Sequence, residues 1–66
     1  MKGLQPKGIA RRNKMLLAAI QLFLDQGYEK TTTAQIARAA GMSPTSFFAA
    51  FENKEALLLT LTQIMF

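Results

Sequence analysis

Lys2, Lys7, Arg11, Arg12 and Lys14 fall within the first fourteen positions with no acid among them. Cations without counter-charges favour anionic partners, and the whole chain, 66 residues with a formal charge of +4, leans the same way. A second chemical group is Ser43, Thr45, Ser46 and Ala49, which offers hydroxyl hydrogen bonds and methyl contact. Catalysis is poorly served. With neither His nor Cys, no Ser or Thr has an evident general base, and no thiolate metal site or disulfide framework can form. Asp25, Glu29, Glu52 and Glu55 lie near caps and turns and lack the spacing of a calcium loop, and no glycine loop suits a phosphate. The residues therefore predict neither an enzyme nor a cofactor. Absence of cysteine fits a reducing, cytoplasmic setting.

The stretch from Thr32 to Phe51 would hold the hydroxyl group in place. Thr32 and Gln35 have the spacing of a capping box, which starts a helix over 33 to 40. Gly41 ends it by taking a left-handed conformation, so the chain can reverse within Met42 and Ser43. Ser43 is placed to cap a third helix, over 44 to 50, and Pro44 suits its first position, where an N–H would have no partner. Ile36, Ala37 and Ala40 share a face that Met42, Phe47, Ala50 and Phe51 continue, with small Ala37 where the helices come closest. Two readings fit these twenty residues: a helix-turn-helix whose outer side is left for a DNA major groove, or an ordinary αα-corner.

Around this unit, residues 1 to 8 read as a mobile cationic arm loosened by Gly3, Pro6 and Gly8. Such an arm is either a solvated terminus or a segment that lies along phosphates or enters a minor groove. A helix is expected over 9 to 26, closed by Gly27, with Leu16, Ile20, Phe23 and Leu24 as its main stripe and Leu17, Ala19 and Leu22 beside it. Its apolar run, 15 to 24, is broken by Gln21, has no cleavage site and falls far short of the ~20 residues that span a bilayer, so no membrane partner is expected. Tyr28 is expected to pack at the turn with its hydroxyl in water. Asn53 caps a fourth helix starting at Lys54, where Glu55 suits the positive helix end and Lys54 does not. A phosphate at that end would account for Lys54; a solvated surface would tolerate it. Half the residues are apolar, more than so small a domain easily buries, and Leu57, Leu58, Leu61, Ile64, Met65 and Phe66 run to the end without a cap. Residues 54 to 66 are thus expected to lead into further helices or onto a second copy. The expected fold is all-α, a small three-helix, homeodomain-like bundle over 9 to 53 with the start of a fourth helix.

Gly27-Tyr28, Thr31-Thr32, Ile36-Ala37, Ala39-Ala40-Gly41-Met42-Ser43 and Phe51-x-x-Lys54-Glu55-x-Leu57-Leu58, with Ala19-x-x-x-Phe23-x-x-x-Gly27 ahead of them, resemble the N-terminal DNA-binding domain of TetR-family bacterial regulators. The resemblance covers about residues 11 to 60. It implies that the helix matching Pro44 to Ala50 enters the major groove of double-stranded DNA, that Thr32 or Thr33 contacts phosphate, and that Lys54 contacts backbone phosphate. It further implies a homodimer on a palindromic operator, formed through a larger C-terminal domain that binds a small-molecule effector and releases the operator. Repression is the family's commoner habit. Phe48 stands where the family commonly has a phosphate-binding Tyr, so its ring can pack only on sugar, a thymine methyl or the core. The phosphate grip should then come mainly from Thr32, Thr33, Lys54 and the basic segment with Arg11 and Arg12. A competing reading is a helical interaction or dimerisation module, docking through the face from Leu57 to Phe66, that has lost DNA binding.

Overall fold

A computed structural model describes the backbone of residues 7–65 and side chains from Ala10 to Ile64. It contains four helices, α1 (Lys7–Gln26), α2 (Thr33–Ala39), α3 (Pro44–Ala50) and α4 (Lys54–Met65), and no strand among the described residues. The fold is the all-α helix-turn-helix bundle expected, with two boundary differences. Lys7 and Gly8, expected in the arm, belong to α1; a single glycine so near a helix end costs at most about 1 kcal/mol and does not stop it. The rest of the expected arm, residues 1–6, lies outside the described residues. At its C-terminus α2 stops at Ala39, one residue early, because Ala40 N–H is shared between the carbonyls of Ile36 and Ala37 and tightens the last turn.

The turn between α2 and α3 is dictated locally. Gly41 takes φ +82° and donates to the Arg38 carbonyl at 2.9 Å, and Met42 N–H reaches back to the Ala37 carbonyl at 2.9 Å. This pair of bonds is a Schellman motif, and Met42 completes it by packing against the core. Gly27, at φ +94°, closes α1 in the same way that a positive φ allows. Thr31 follows it: fully buried, it donates from its hydroxyl to the Gly27 carbonyl at 2.8 Å, so the turn into α2 leaves no orphaned donor there.

One face of each helix contributes to the core, formed by Met15, Leu16, Ala18, Ala19, Ile36, Ala37, Phe47, Phe51, Leu57 and Leu61. On α1 this corrects the expected stripe. Leu24 is 83% exposed, whereas Met15 and Ala18 are buried. At 100° per residue Ala19 marks the middle of the buried face, and Leu17 and Leu24 fall on the far side. Small Ala18 and Ala19 let α2 and α3 approach α1 closely, which long leucines would prevent. On α4 only Leu57 and Leu61 are buried; Leu58, Leu59 and Ile64 are exposed. Ile64 and Leu61 face Leu16, Leu17 and Ile20 across an open apolar groove of about 320 Å³ between α1 and α4.

Candidate nucleic-acid interface

Helix α3 is split lengthwise. Phe47 points inward and is wholly buried, followed by Phe51 at a ring separation of 5.6 Å. Thr45, Phe48 and Ala49 point outward, at the i, i+3, i+4 spacing of a single helical face. Phe48 is 57% exposed and stands edge-on to Phe47 at 5.3 Å, so its ring is supported from behind while its outer face stays open. Of the two roles left open for Phe48, the core is excluded.

Ser43 precedes α3 with extended backbone angles, and Pro44 holds the first helical position as expected. The Ser43 side chain, however, makes no capping bond to the helix. Its Oγ lies 3.2 Å from Thr45 Oγ1 and 3.1 Å from Ser46 Oγ, so three hydroxyls share one cluster at the start of α3. A hydroxyl donates or accepts as its partner requires. Because Ser43 contributes no cap, Ser43→Ala should lower stability by only a few tenths of a kcal/mol, against the ~1 kcal/mol of a capping serine. A thermal melt measures the difference, and a loss near the capping value would show that Ser43 caps after all.

Thr32 does cap. Its hydroxyl accepts from Gln35 N–H at 3.1 Å and its own N–H donates to Gln35 Oε1 at 3.1 Å, the full capping box. The box is braced from α1, since Gln26 Nε2 donates to the same Gln35 Oε1 at 2.8 Å. Thr32 is exposed, and its hydroxyl proton is not used by the box, which leaves one donor for an outside acceptor. Thr33 begins α2 and is half-buried. Nothing in the sequence pattern pointed to Gln26; nine residues and a turn separate it from Gln35.

Arg11 and Arg12 are exposed on α1 and, with Met15 of the same helix, line a groove of about 240 Å³ opposite Ser46, Ala49 and Ala50 of α3. The Arg12 guanidinium carbon is 5.8 Å from the centre of the Phe51 ring, at the edge of cation–π range. These two arginines thus stand beside the outward side of α3. Lys54 belongs to a second group. Its Nζ donates to the Tyr28 carbonyl at 2.6 Å and lies 4.0 Å from the centre of the Tyr28 ring, so it is neither loosely solvated nor misplaced. Asn53 caps α4 as expected, its Oδ1 accepting from Ala56 N–H at 2.7 Å. Tyr28 departs from expectation: its hydroxyl is covered and has no hydrogen-bond partner among the described residues. Burial, then the nearby Glu55 and Glu29 carboxylates, raises its pKa above the ordinary tyrosine value.

Among the described residues no cluster of His, Cys, Asp or Glu could hold a metal, and no helix is long and apolar enough to cross a membrane. What the geometry does provide is a short αα unit closed by a glycine turn, whose second helix carries an unburied face flanked by arginines. That is the plan of a helix-turn-helix DNA-binding domain. Residues 15–61 match the family model of the bacterial regulatory proteins of the tetR family, and the chain belongs to that family. It is 44% identical over 59 residues to the HTH-type transcriptional regulator TcmR of Streptomyces glaucescens, a match covering 88% of this chain and 26% of TcmR. It is 41% identical over 56 residues to the HTH-type transcriptional regulator HbdR of an Aromatoleum species, covering 83% and 24% of the two chains. With the HTH-type transcriptional repressor Rv1474c of Mycobacterium tuberculosis it shares 37% over 54 residues, covering 82% and 29%. The chain therefore spans about a quarter of the length of the curated relatives it matches. No solved structure matches it.

Proposed function

We propose that this chain is the operator-reading head of a ligand-responsive repressor, with α3 entering the major groove of double-stranded DNA. The observation that carries this reading is the divided α3: Phe47 and Phe51 anchor it from behind, and Thr45, Phe48 and Ala49 remain outside the core. Ser43, Pro44, Thr45 and Ser46 bring the N-terminal turn of that helix and its hydroxyls to the bases, and Phe48 with Ala49 offers apolar contact to sugar or thymine methyl groups. Thr32 and Thr33 at the start of α2, Lys54 at the start of α4, and Arg11 and Arg12 beside α3 hold the phosphates that fix the register. The repressor name carried by the Mycobacterium relative supports the direction of regulation.

One such helix reads only a few base pairs, so useful specificity calls for two heads about one helical turn, roughly 34 Å, apart on a palindrome. The rest of a chain several times longer than this segment would supply the dimer contact and the effector site. Exposed Leu17 and Ile64, lining the α1–α4 groove with Leu16, Ile20 and Leu61, form an apolar surface on which such a domain can rest. Selection of bound duplexes from a random pool with the full-length protein tests the reading. A palindromic consensus with half-sites one turn apart is expected; enrichment of no sequence would overturn it in favour of an interaction module.

A further inference from the structure

We propose that Tyr28 is a positioning residue for DNA binding, which holds the Lys54 ammonium in place before a phosphate arrives. The inference rests on the reading of Lys54 as a phosphate ligand. The two residues are 26 positions apart, and they meet because the turn after α1 folds back onto the start of α4.

Three contacts define the arrangement. The Tyr28 carbonyl accepts from Lys54 Nζ at 2.6 Å and also from Thr31 N–H at 3.2 Å, so both of its lone pairs are occupied. The Tyr28 ring lies 4.0 Å from the ammonium, well inside the distance at which the ring's negative face attracts a cation. The ring is itself fixed, packed against Phe23 at 5.1 Å with a tilt of 58°. A lysine normally keeps much rotamer freedom at a surface and loses it when it grips a ligand. Here that freedom is lost on folding instead, and binding proceeds from a prepared geometry. An ammonium has three N–H donors, and the Tyr28 carbonyl takes one. The ring face takes another, which leaves one for a phosphate oxygen, and neither neutral partner cancels the positive charge.

The role falls to the ring and not to the phenol. The hydroxyl makes no hydrogen bond to Lys54, whose ammonium is held by the Tyr28 carbonyl and the ring face. Tyr28→Phe should therefore keep duplex affinity within about twofold, whereas Tyr28→Leu, which removes the π face, should weaken it by roughly fivefold. The decisive comparison repeats Tyr28→Leu in a Lys54→Ala background. Binding to a mixed-sequence duplex of about 20 base pairs in about 50 mM salt is measured by anisotropy, with each variant first shown to be folded by its far-ultraviolet spectrum.

In the Lys54→Ala background the Leu substitution should change affinity by less than about twofold. An equal loss in both backgrounds would show that Tyr28 acts through the fold alone and would overturn the inference. Failure of the unaltered chain to prefer duplex over heparin would instead remove the DNA-binding reading beneath it. Should Tyr28→Leu not fold, proton spectra of the unaltered chain decide the matter. The Lys54 Hε resonances should be moved upfield by the Tyr28 ring both free and with duplex added. Loss of that upfield shift on binding would mean that Lys54 leaves Tyr28 to reach phosphate, and the inference would fall.

Discussion

Phe47→Ala should leave the chain unfolded at room temperature, while Phe48→Ala should leave it folded. Phe47 is completely buried and is the one described core residue supplied by α3 itself, where it touches Phe51 across the end of the helix. Truncating a buried phenylalanine costs about 3–5 kcal/mol through lost transfer energy and an unfilled cavity. A core of this size supplies only about 3–5 kcal/mol in total, so nothing is left to hold the bundle. Phe48, next in sequence and 57% exposed, loses mainly its edge contact with Phe47 and should cost about 1 kcal/mol or less. Far-ultraviolet circular dichroism with urea titration measures both. Similar losses from the two alanines would mean that α3 is not divided into an anchoring and a free face, and the proposed reading surface would go with it.

Duplex affinity should fall steeply with salt. With Arg11, Arg12 and Lys54 as the proposed phosphate ligands, each head would make about three cationic contacts, for which the slope of log K against log salt is close to −2.7. Between 50 and 200 mM that slope lowers the affinity of a single head by about 40-fold, and of a two-headed complex by roughly 2,000-fold. Lys54→Ala should reduce the slope by about 1 per head and weaken all sequences alike. A change in the Ser43, Thr45 or Ser46 hydroxyls should alter preference among sequences and leave the slope where it was. Fluorescence anisotropy across a salt series separates these outcomes. A flat response, or one unchanged by Lys54→Ala, would remove the phosphate role assigned to this residue.

The features that could be read from the sequence are those decided within one turn of chain. Thr32 with Gln35, Gly41 after Ala40, Pro44 after Ser43 and Asn53 before Lys54 each act through near neighbours, and their helices begin and end within two residues of expectation. The α1 stripe was harder, because leucines and alanines surround that helix and periodicity alone does not say which arc faces inward. Burial chose the arc with Ala18 and Ala19, where α2 and α3 need room, over the arc with Leu24. Ser43 kept its backbone role but turned its hydroxyl to Thr45 and Ser46, a competition between equal acceptors that spacing does not resolve. The Lys54–Tyr28 contact and the brace from Gln26 to Gln35 depend on how separate helices meet, and no local pattern records them.

Tyr28 also has an optical consequence. It is the only tyrosine, and the chain has no tryptophan, so the near-ultraviolet emission of the protein comes essentially from one ring. That ring lies between Phe23 of α1 and the first residue of α4. Its intensity and lifetime therefore sense that junction alone, without a label and without background from α2 or α3. Anything that parts the first helix from the fourth, whether denaturant or a domain docking on the apolar groove, can be followed by the light this single phenol gives back.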